Sequence, residues 1–203
     1  MNKFKLFNMA LSYIGDSYYI ENGDVSDGLH PSILCNLFLD SAISAVEEMH
    51  DWPFLSSMDD IRPLRVDLIP NFFCYKVLPH IRKVDAVSTV GMPKLFGSEF
   101  EVIASHKNTN EYQKVLVSRK ELMLFKYVSH YTNSIAMPQS FMDAAALKLA
   151  SLIAGSLVQG AQGIQIADAC DKRLANLLST WQETVQTQAS DIARQPAQWI
   201  QNR

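Results

Sequence analysis

The densest group of titratable side chains lies at residues 47–51. Glu47, Glu48, His50 and Asp51 fall within five positions. Two carboxylates about 5 to 9 Å apart around a sugar can hydrolyse a glycosidic bond, so this group could do acid–base chemistry. The same residues are also typical of the solvated end of an amphipathic helix, where acidic side chains are tolerated although they oppose the helix macrodipole. We favour the helix-end interpretation and predict no catalytic residue.

Metal and nucleotide sites have no recognisable motif in the sequence. The five histidines, at positions 30, 50, 80, 106 and 130, are never spaced so that two imidazoles would share one helix face as metal ligands. The glycines between positions 155 and 163 lack both the Lys-Ser/Thr ending and the preceding strand of a phosphate-binding loop. No serine lies on a nucleophile-elbow motif. We therefore predict no metal and no cofactor.

Basic residues are concentrated in the middle of the chain. Residues 59–137 carry a net charge of +3, whereas residues 1–58 carry −6 and residues 138–203 carry 0. Cations with interleaved aromatic rings can bind a nucleic-acid strand, but a dilute +3 is also typical of a solvated β-sheet, which we favour. The residues of this nucleic-acid hypothesis are Arg62, Arg65, Lys76, Arg82, Lys83, Phe72, Phe73 and Tyr75.

The composition indicates a globular protein that does not bind DNA tightly. The chain has 203 residues, 48% of them hydrophobic, and a formal net charge of −3, whereas tight binding to the phosphate backbone needs a basic surface. Cys35, Cys74 and Cys170 are far apart in apolar surroundings, which predicts buried thiols in a reducing compartment. No signal-peptide pattern follows the first residues, so we expect the protein to be made and kept in the cytosol.

The longest apolar stretch, residues 141–158, contains Asp143 and Lys148. A membrane span needs about 20 nearly uncharged positions, so this stretch predicts a buried helix and no membrane contact. Within it, Ala146, Ala150 and Ala154 present a small surface that allows another helix to pack closely. That second helix could belong to the same subunit, which we favour, or to a neighbouring one.

Apolar residues at helical spacing predict four helices, at residues 4–14, 31–50, 138–159 and 164–186. Gly15 is placed to end the first helix, and Pro53 to stop the second. Short runs of β-branched and aromatic residues predict strands at 72–78, 81–87, 100–104, 114–118 and 122–129.

These elements predict a mainly α fold with a β-rich insertion, in the α+β class. Residues 1–58 and 138–187 would form a bundle of about four helices, and residues 59–137 a small β region. Residues 188–203 are Gln-rich with few apolar anchors, which predicts an extended C-terminal tail. Trp52, Pro53 and Phe54 would close the bundle as an aromatic clamp, with a surface anchor as the alternative.

Four segments of the sequence together resemble one protein family. They are Ala-Leu-Ser-Tyr-Ile-Gly-Asp at 10–16, Met-His-Asp-Trp-Pro-Phe at 49–54, Leu-Pro-His-Ile-Arg-Lys-Val at 78–84, and residues 131–154 with their Ala-Leu-Lys-Leu-Ala run. In this order they resemble the head-to-tail adaptor proteins of short-tailed bacteriophages, also called tail tubular protein A. The resemblance covers most of residues 1–185.

The resemblance implies a structural virion protein and not an enzyme. Its members form a ring of twelve subunits beneath the portal protein, at the junction of the DNA-filled head and the tail nozzle protein. Duplex DNA would pass through the ring without specific binding, and the protein would be synthesised in the host cytoplasm. The resemblance also makes residues 188–203 a portal-docking arm, with Trp199 and Ile200 as anchors and Arg203 as their charged partner.

Two alternatives remain open from the sequence. One is a tail-associated peptidoglycan hydrolase that would use Glu47 or Glu48 with Asp51, and a Glu48→Gln variant would then lose turnover. The other is a host-encoded helical interaction module, which would have no affinity for a portal ring.

Overall fold

The computed structural model describes residues 3–20, 30–64, 69–89, 92–97, 100–105, 113–132 and 136–194. The chain divides into two compact units. The helical unit combines Met1–His50 with Asn133–Arg203, and the β unit is Asp51–Thr132. The unit boundaries therefore lie at 50/51 and 132/133, where the sequence suggested 58/59 and 137/138.

Four helices make up the described part of the helical unit. Helix α3 is the central element, because the other three helices each pack against it. The four are α1 (Lys3–Ile14), α2 (His30–Met49), α3 (Gln139–Leu157) and α4 (Ala161–Arg194). Helix α1 ends where the sequence predicted: Gly15 has a positive φ of 83°, and the N–H of Asp16 donates to the carbonyl of Leu11 at 3.0 Å.

The core of the helical unit is built on the small residues of α3. Ala146, Ala150 and Ala154 are fully buried, together with Phe7 and Leu11 of α1. By length and composition α3 could cross a membrane, but 61% of its apolar window is buried inside the protein, which is typical of a core helix.

Glycine is required where α3 turns into α4. A Cβ atom on Gly163 would collide with the carbonyl oxygen of Val158 and would lie 3.1 Å from that of Ala154. The first turn of α4 therefore packs directly on the backbone at the end of α3.

The described residues of the β unit form seven strands in two antiparallel sheets. A four-stranded sheet has the order β1-β7-β3-β4, and a three-stranded sheet has the order β2-β6-β5. A short 3-10 turn, Pro53–Leu55, leads into the first strand. The strands are β1 (Ser56–Asp60), β2 (Phe73–Lys76), β3 (Ile81–Thr89), β4 (Met92–Phe96), β5 (Glu101–Ser105), β6 (Gln113–Ser118) and β7 (Leu122–Ser129).

Side chains from both sheets share one apolar core. Tyr75 and Leu116 of the three-stranded sheet join Val87, Phe125 and Tyr127 of the four-stranded sheet. The N–H of Leu122 donates to the Tyr75 hydroxyl at 2.7 Å, inside this core. The opposite face of the three-stranded sheet has a smaller core, formed by Cys74, Val115 and Val117 with Leu64, Ile69, Phe72 and Ile103.

The predicted architecture, a mainly α bundle with a small β region, is wrong. The described part of the chain contains seven strands in two sheets as well as four helices, so the chain is an α+β mix and not clearly a helical bundle. The sequence missed β1 and β4. Strand β1 reads Ser-Ser-Met-Asp-Asp and has no β-branched or aromatic residue, and Pro93 in β4 is tolerated because β4 lies at a sheet edge.

The extended C-terminal tail also needs correction. Helix α4 begins at Ala161, three residues earlier than predicted, and continues to Arg194, so residues 188–194 are helical. Gln, Ala and Arg are good helix formers even without apolar anchors, which explains the continuation. Residues 195–203 lie outside the described residues, and with them the predicted docking residues Trp199, Ile200 and Arg203.

Candidate functional site

The candidate site is the end of the β unit where the chain enters at Asp51 and leaves at Thr132. Here Asp51 lies 3.6 Å from the Nη2 atom of Arg82 and 3.7 Å from the Nζ atom of Lys83. These charge contacts join two of the segments that carry the resemblance, residues 49–54 and residues 78–84. The Asp51 side chain is 69% exposed, so the two ion pairs contribute about 1 kcal/mol or less to stability. Their main effect is on the relative positions of the three side chains.

Irregular pairing in β3 places Arg82. The register of β3 against β7 shifts between Ile81 and Lys83 and again between Val84 and Ala86. These shifts change the alternation of the strand, so Ile81, Val84 and Val87 all reach the shared core at a three-residue spacing. Arg82, between two core residues, is left to face the entry segment.

Arg82 is an unusual member of this group because it is mostly buried. Its side chain is only 17% exposed. Its Nε and Nη2 atoms have no hydrogen-bond partner among the described residues, and the 3.6 Å contact with Asp51 is too long to be a hydrogen bond. A buried donor without an acceptor costs about 1–3 kcal/mol, more when charged, so the position of Arg82 lowers the stability of the β unit.

Lys83 lies closer to a carboxylate than Arg82 does. Its Nζ atom lies 3.0 Å from the Asp85 carboxylate, and this hydrogen bond raises the pKa of Lys83, with burial acting in the opposite sense. The ammonium group therefore stays charged at neutral pH and bridges Asp85 and Asp51.

The third part of the site is the exit segment. The N–H of His130 donates to the carbonyl of His80 at 2.8 Å, and the Ser129 hydroxyl donates to the carbonyl of Leu55 at 3.2 Å. Residues next to the segments 49–54 and 131–154 are thus tied to the same end of the β unit as residues 78–84.

Tyr127 extends the site along β7. Its hydroxyl donates to the Asp59 carboxylate at 2.6 Å, and its ring meets that of His80 edge-on with centroids 6.2 Å apart. The hydrogen bond to Asp59, followed by burial, raises the pKa of Tyr127. This tyrosine therefore links the turn at His80 to the edge strand β1.

The predicted aromatic clamp lies in a different unit from the one it was expected to close. Trp52, Pro53 and Phe54 belong to the β unit, at the point where the chain enters it. Trp52 is only 4% exposed, and its ring meets that of Phe54 edge-on at 6.2 Å. The structure thus gives Trp52 a buried position, whereas Pro53 is exposed.

The candidate hydrolase carboxylates differ in exposure and are divided between the two units. Glu47 is buried in α2 at 2% exposure, while the adjacent Glu48 is exposed. Asp51 belongs to the β unit and contacts two cations. Among the described residues, no three His, Cys, Asp or Glu side chains are grouped as metal ligands would be.

The residues of the nucleic-acid hypothesis are also dispersed. Tyr75 is fully buried with its hydroxyl engaged, so its ring is not accessible to a base. Arg62 and Lys76 are exposed, Arg82 and Lys83 belong to the charge group at Asp51, and Arg65 lies outside the described residues. Phe73 is 38% exposed and Phe72 is half-buried.

A groove of about 470 Å³ lies beside the three-stranded sheet and was not predicted from the sequence. Its walls combine aromatic, cationic and acidic side chains: Phe72, Phe100, Glu101, Val117, Arg119 and Lys120. Phe72 was the only one of these that the sequence singled out. The others are separated along the chain and meet only through the pairing of β5 with β6, where Glu101 lies opposite Val117.

A scan against protein-family models finds no family that matches the chain, and no curated protein matches it either.

Proposed function

We propose that the protein is a head-to-tail adaptor of a short-tailed bacteriophage, a structural virion protein that forms a ring beneath the portal. One observation supports this assignment most directly. Segments 49–54 and 78–84, which carry the resemblance and are distant in the chain, meet through the contacts of Asp51 with Arg82 and Lys83.

The placement of the other two segments supports the same proposal. Residues 10–16 contain the end of α1 and its Gly15 cap, and residues 131–154 lead from the last strand of the β unit into α3. The first three segments therefore lie at ends of elements or in turns, and the fourth leads into α3 and covers most of it. Residues at such positions determine how successive elements are connected, and this suits a structural protein.

The proposed partners follow from the adaptor role. The portal protein would bind above the ring and the tail nozzle protein below it, in a virion in which duplex DNA passes through without specific contacts. A net charge of −3 suits such a conduit, because a basic wall would hold the phosphate backbone.

Solution mass tests the proposal directly. Light scattering is measured on the chain alone and after mixing with the portal ring of the same phage. We expect a species whose mass equals the portal ring plus one fixed number of added subunits. A chain that leaves the portal ring unchanged in mass would contradict the adaptor role.

A charge variant tests whether the entry end of the β unit matters for this assembly. Asp51→Asn removes the charge that both Arg82 and Lys83 contact, and we expect it to weaken assembly on the portal. Because Asp51 is exposed, the free energy of unfolding should change by about 1 kcal/mol or less. Asp60→Asn, at an exposed carboxylate of β1, is the matched control. Equal assembly by both variants would remove this end of the unit from the proposal.

A further inference from the structure

The groove beside the three-stranded sheet has flat rings on its walls. Phe72 and Phe100 both line the groove and are half-buried, Phe72 against the small core of Cys74, Val115 and Val117, and Phe100 against the core that both sheets share. The guanidinium of Arg119 lies 5.5 Å from the centroid of the Phe72 ring. A guanidinium stacked on an aromatic ring is held in one place, which reduces the entropy lost when it binds an anion.

The lining of the groove carries charges of both signs. Arg119 and Lys120 are adjacent in the turn after β6, and the Lys120 N–H donates to the Ser118 hydroxyl oxygen at 3.2 Å. Glu101, at the start of β5 and opposite Val117 of β6, adds a carboxylate to the same lining. The groove thus offers two cations, one strong acceptor and aromatic surfaces within a single small volume.

From this arrangement we infer that the groove binds one nucleotide of an unpaired nucleic-acid strand. The base stacks against Phe100 and the Arg119–Phe72 pair, and the phosphate pairs with Arg119 and Lys120. Each base has an N–H donor on its Watson–Crick edge, and Glu101 can accept from it. An aromatic ring, an N–H donor and an anion in one ligand match all three features of the groove.

Size and stacking exclude duplex DNA as the ligand of this groove. A volume of about 470 Å³ is within the range of small-molecule sites and accommodates a single nucleotide. Bases inside a duplex are stacked on one another and cannot reach an aromatic side chain without flipping out. This inference does not rest on the adaptor role, and portal binding does not test it.

The test uses the full chain and a short, fluorescently labelled, unpaired DNA oligonucleotide at one fixed salt concentration. Fluorescence anisotropy gives the affinity, with the matching duplex and inorganic polyphosphate as competitors. We expect Arg119→Ala and Phe100→Leu each to weaken binding about tenfold, because stacking and phosphate contacts each contribute on that scale. Leucine keeps an apolar side chain at position 100, and circular dichroism verifies the fold of each variant.

Lys114→Ala is the matched control, because it removes an exposed cation from the opposite end of β6. We expect it to change affinity by less than about twofold, the effect of one distant surface charge. The inference would be overturned if the oligonucleotide did not bind. It would also be overturned if Lys114→Ala lost as much affinity as Arg119→Ala, or if the duplex competed as well as the unpaired strand. If polyphosphate competes and Phe100→Leu has no effect on affinity, the groove binds only phosphate. That result would also overturn the inference.

Discussion

At the scale of single residues, the Tyr75 hydroxyl is a buried polar group that should contribute to the stability of the β unit. It accepts the Leu122 N–H at 2.7 Å within the core that both sheets share. Tyr75→Phe keeps the ring but leaves that N–H buried without an acceptor, so the free energy of unfolding should fall by about 1–3 kcal/mol. Denaturant titration measures the change.

The control for Tyr75→Phe is Tyr19→Phe, because Tyr19 is 68% exposed. We expect it to change the free energy of unfolding by about 0.5 kcal/mol or less. Equal effects of the two substitutions would mean that the hydroxyl of Tyr75 does not stabilise the β unit.

The Tyr127 hydroxyl leads to a prediction about pH. Its hydrogen bond to Asp59 raises its pKa above the usual 10.0, so the folded protein holds this proton more tightly than the unfolded chain. The stabilisation is therefore complete below about pH 10 and is lost as the pH rises through the folded pKa. The free energies of unfolding of wild type and Tyr127→Phe should differ most below pH 10. The two values should converge as the pH rises through the folded pKa of Tyr127.

Denaturant midpoints measured for both proteins across the alkaline range test this behaviour. Other groups whose pKa is raised, such as Tyr75 and the Cys35 thiol at about 12, are present in both proteins and cancel in the comparison. A difference between the two proteins that stays constant across the alkaline range would show that the Tyr127 proton is not linked to folding.

Some single-residue properties could be predicted from the sequence and others could not. The three cysteines are buried and free, as their apolar neighbours indicated. The charge group around Arg82 was not foreseen, because Asp51 is distant in the chain from the β3 residues that it contacts, and the groove at Arg119 was not foreseen, because its residues come from different strands. The first two of the three register shifts in β3 also give its core residues a three-residue spacing that simple alternation does not predict.

At the scale of elements, two glycines make a matched pair at the α3–α4 connection. A methyl group on Gly163 would collide with backbone carbonyls at the end of α3, whereas one on Gly155 would meet no atom within 4 Å. Gly163→Ala should therefore lower the free energy of unfolding by about 1–3 kcal/mol, the usual cost of overpacking. Gly155→Ala should raise it by up to about 1 kcal/mol, because alanine favours a helix more than glycine does.

Thermal or denaturant unfolding of the two variants tests this pair. Opposite signs are the expected result, since the two substitutions have the same chemistry and lie on packed neighbouring helices. A stabilising Gly163→Ala would show that α4 does not approach α3 as closely as the structure has it.

Helices were easier to predict than strands because their apolar period lies within one segment. The starts of α2 and α3 fall within one residue of prediction, and α1 ends at Ile14 as Gly15 indicated. Strand β1 depends on its pairing with β7, from Ser56 opposite Val128 to Asp60 opposite Leu124, and its own sequence does not favour a strand. Partners of this kind lie too far along the chain for a local pattern to detect.

At the scale of the whole molecule, the charge distribution leads to a prediction about association. Residues 1–58 carry −6 and residues 59–137 carry +3, so an acidic part of one protein can attract a basic face of another. We expect the rate of assembly on the portal to fall as salt is raised, while dissociation changes less. Stopped-flow mixing at several salt concentrations measures both rates, and an association rate independent of salt would contradict the prediction.

The C-terminal arm gives the most direct whole-molecule test of portal docking. Because α4 continues to Arg194, a deletion from residue 188 would also shorten a helix, so the chain should be stopped after Arg194 instead. We expect this truncation to lose portal binding, since it removes the proposed anchors Trp199 and Ile200. The same loss is expected from a Trp199→Ala, Ile200→Ala double variant of the full chain.

The thermal midpoint should be the same for the full chain, the truncated chain and the double variant, because the truncation leaves α4 complete. Gln198→Ala with Gln201→Ala, at the polar positions flanking the two anchors, should bind the portal as the full chain does. Repeated copies of the arm in a ring would bind together, so even a weak anchor in each subunit could hold the ring on the portal. Undiminished binding by the truncated chain would place the portal contact elsewhere on the protein and leave Trp199 and Ile200 without a docking role.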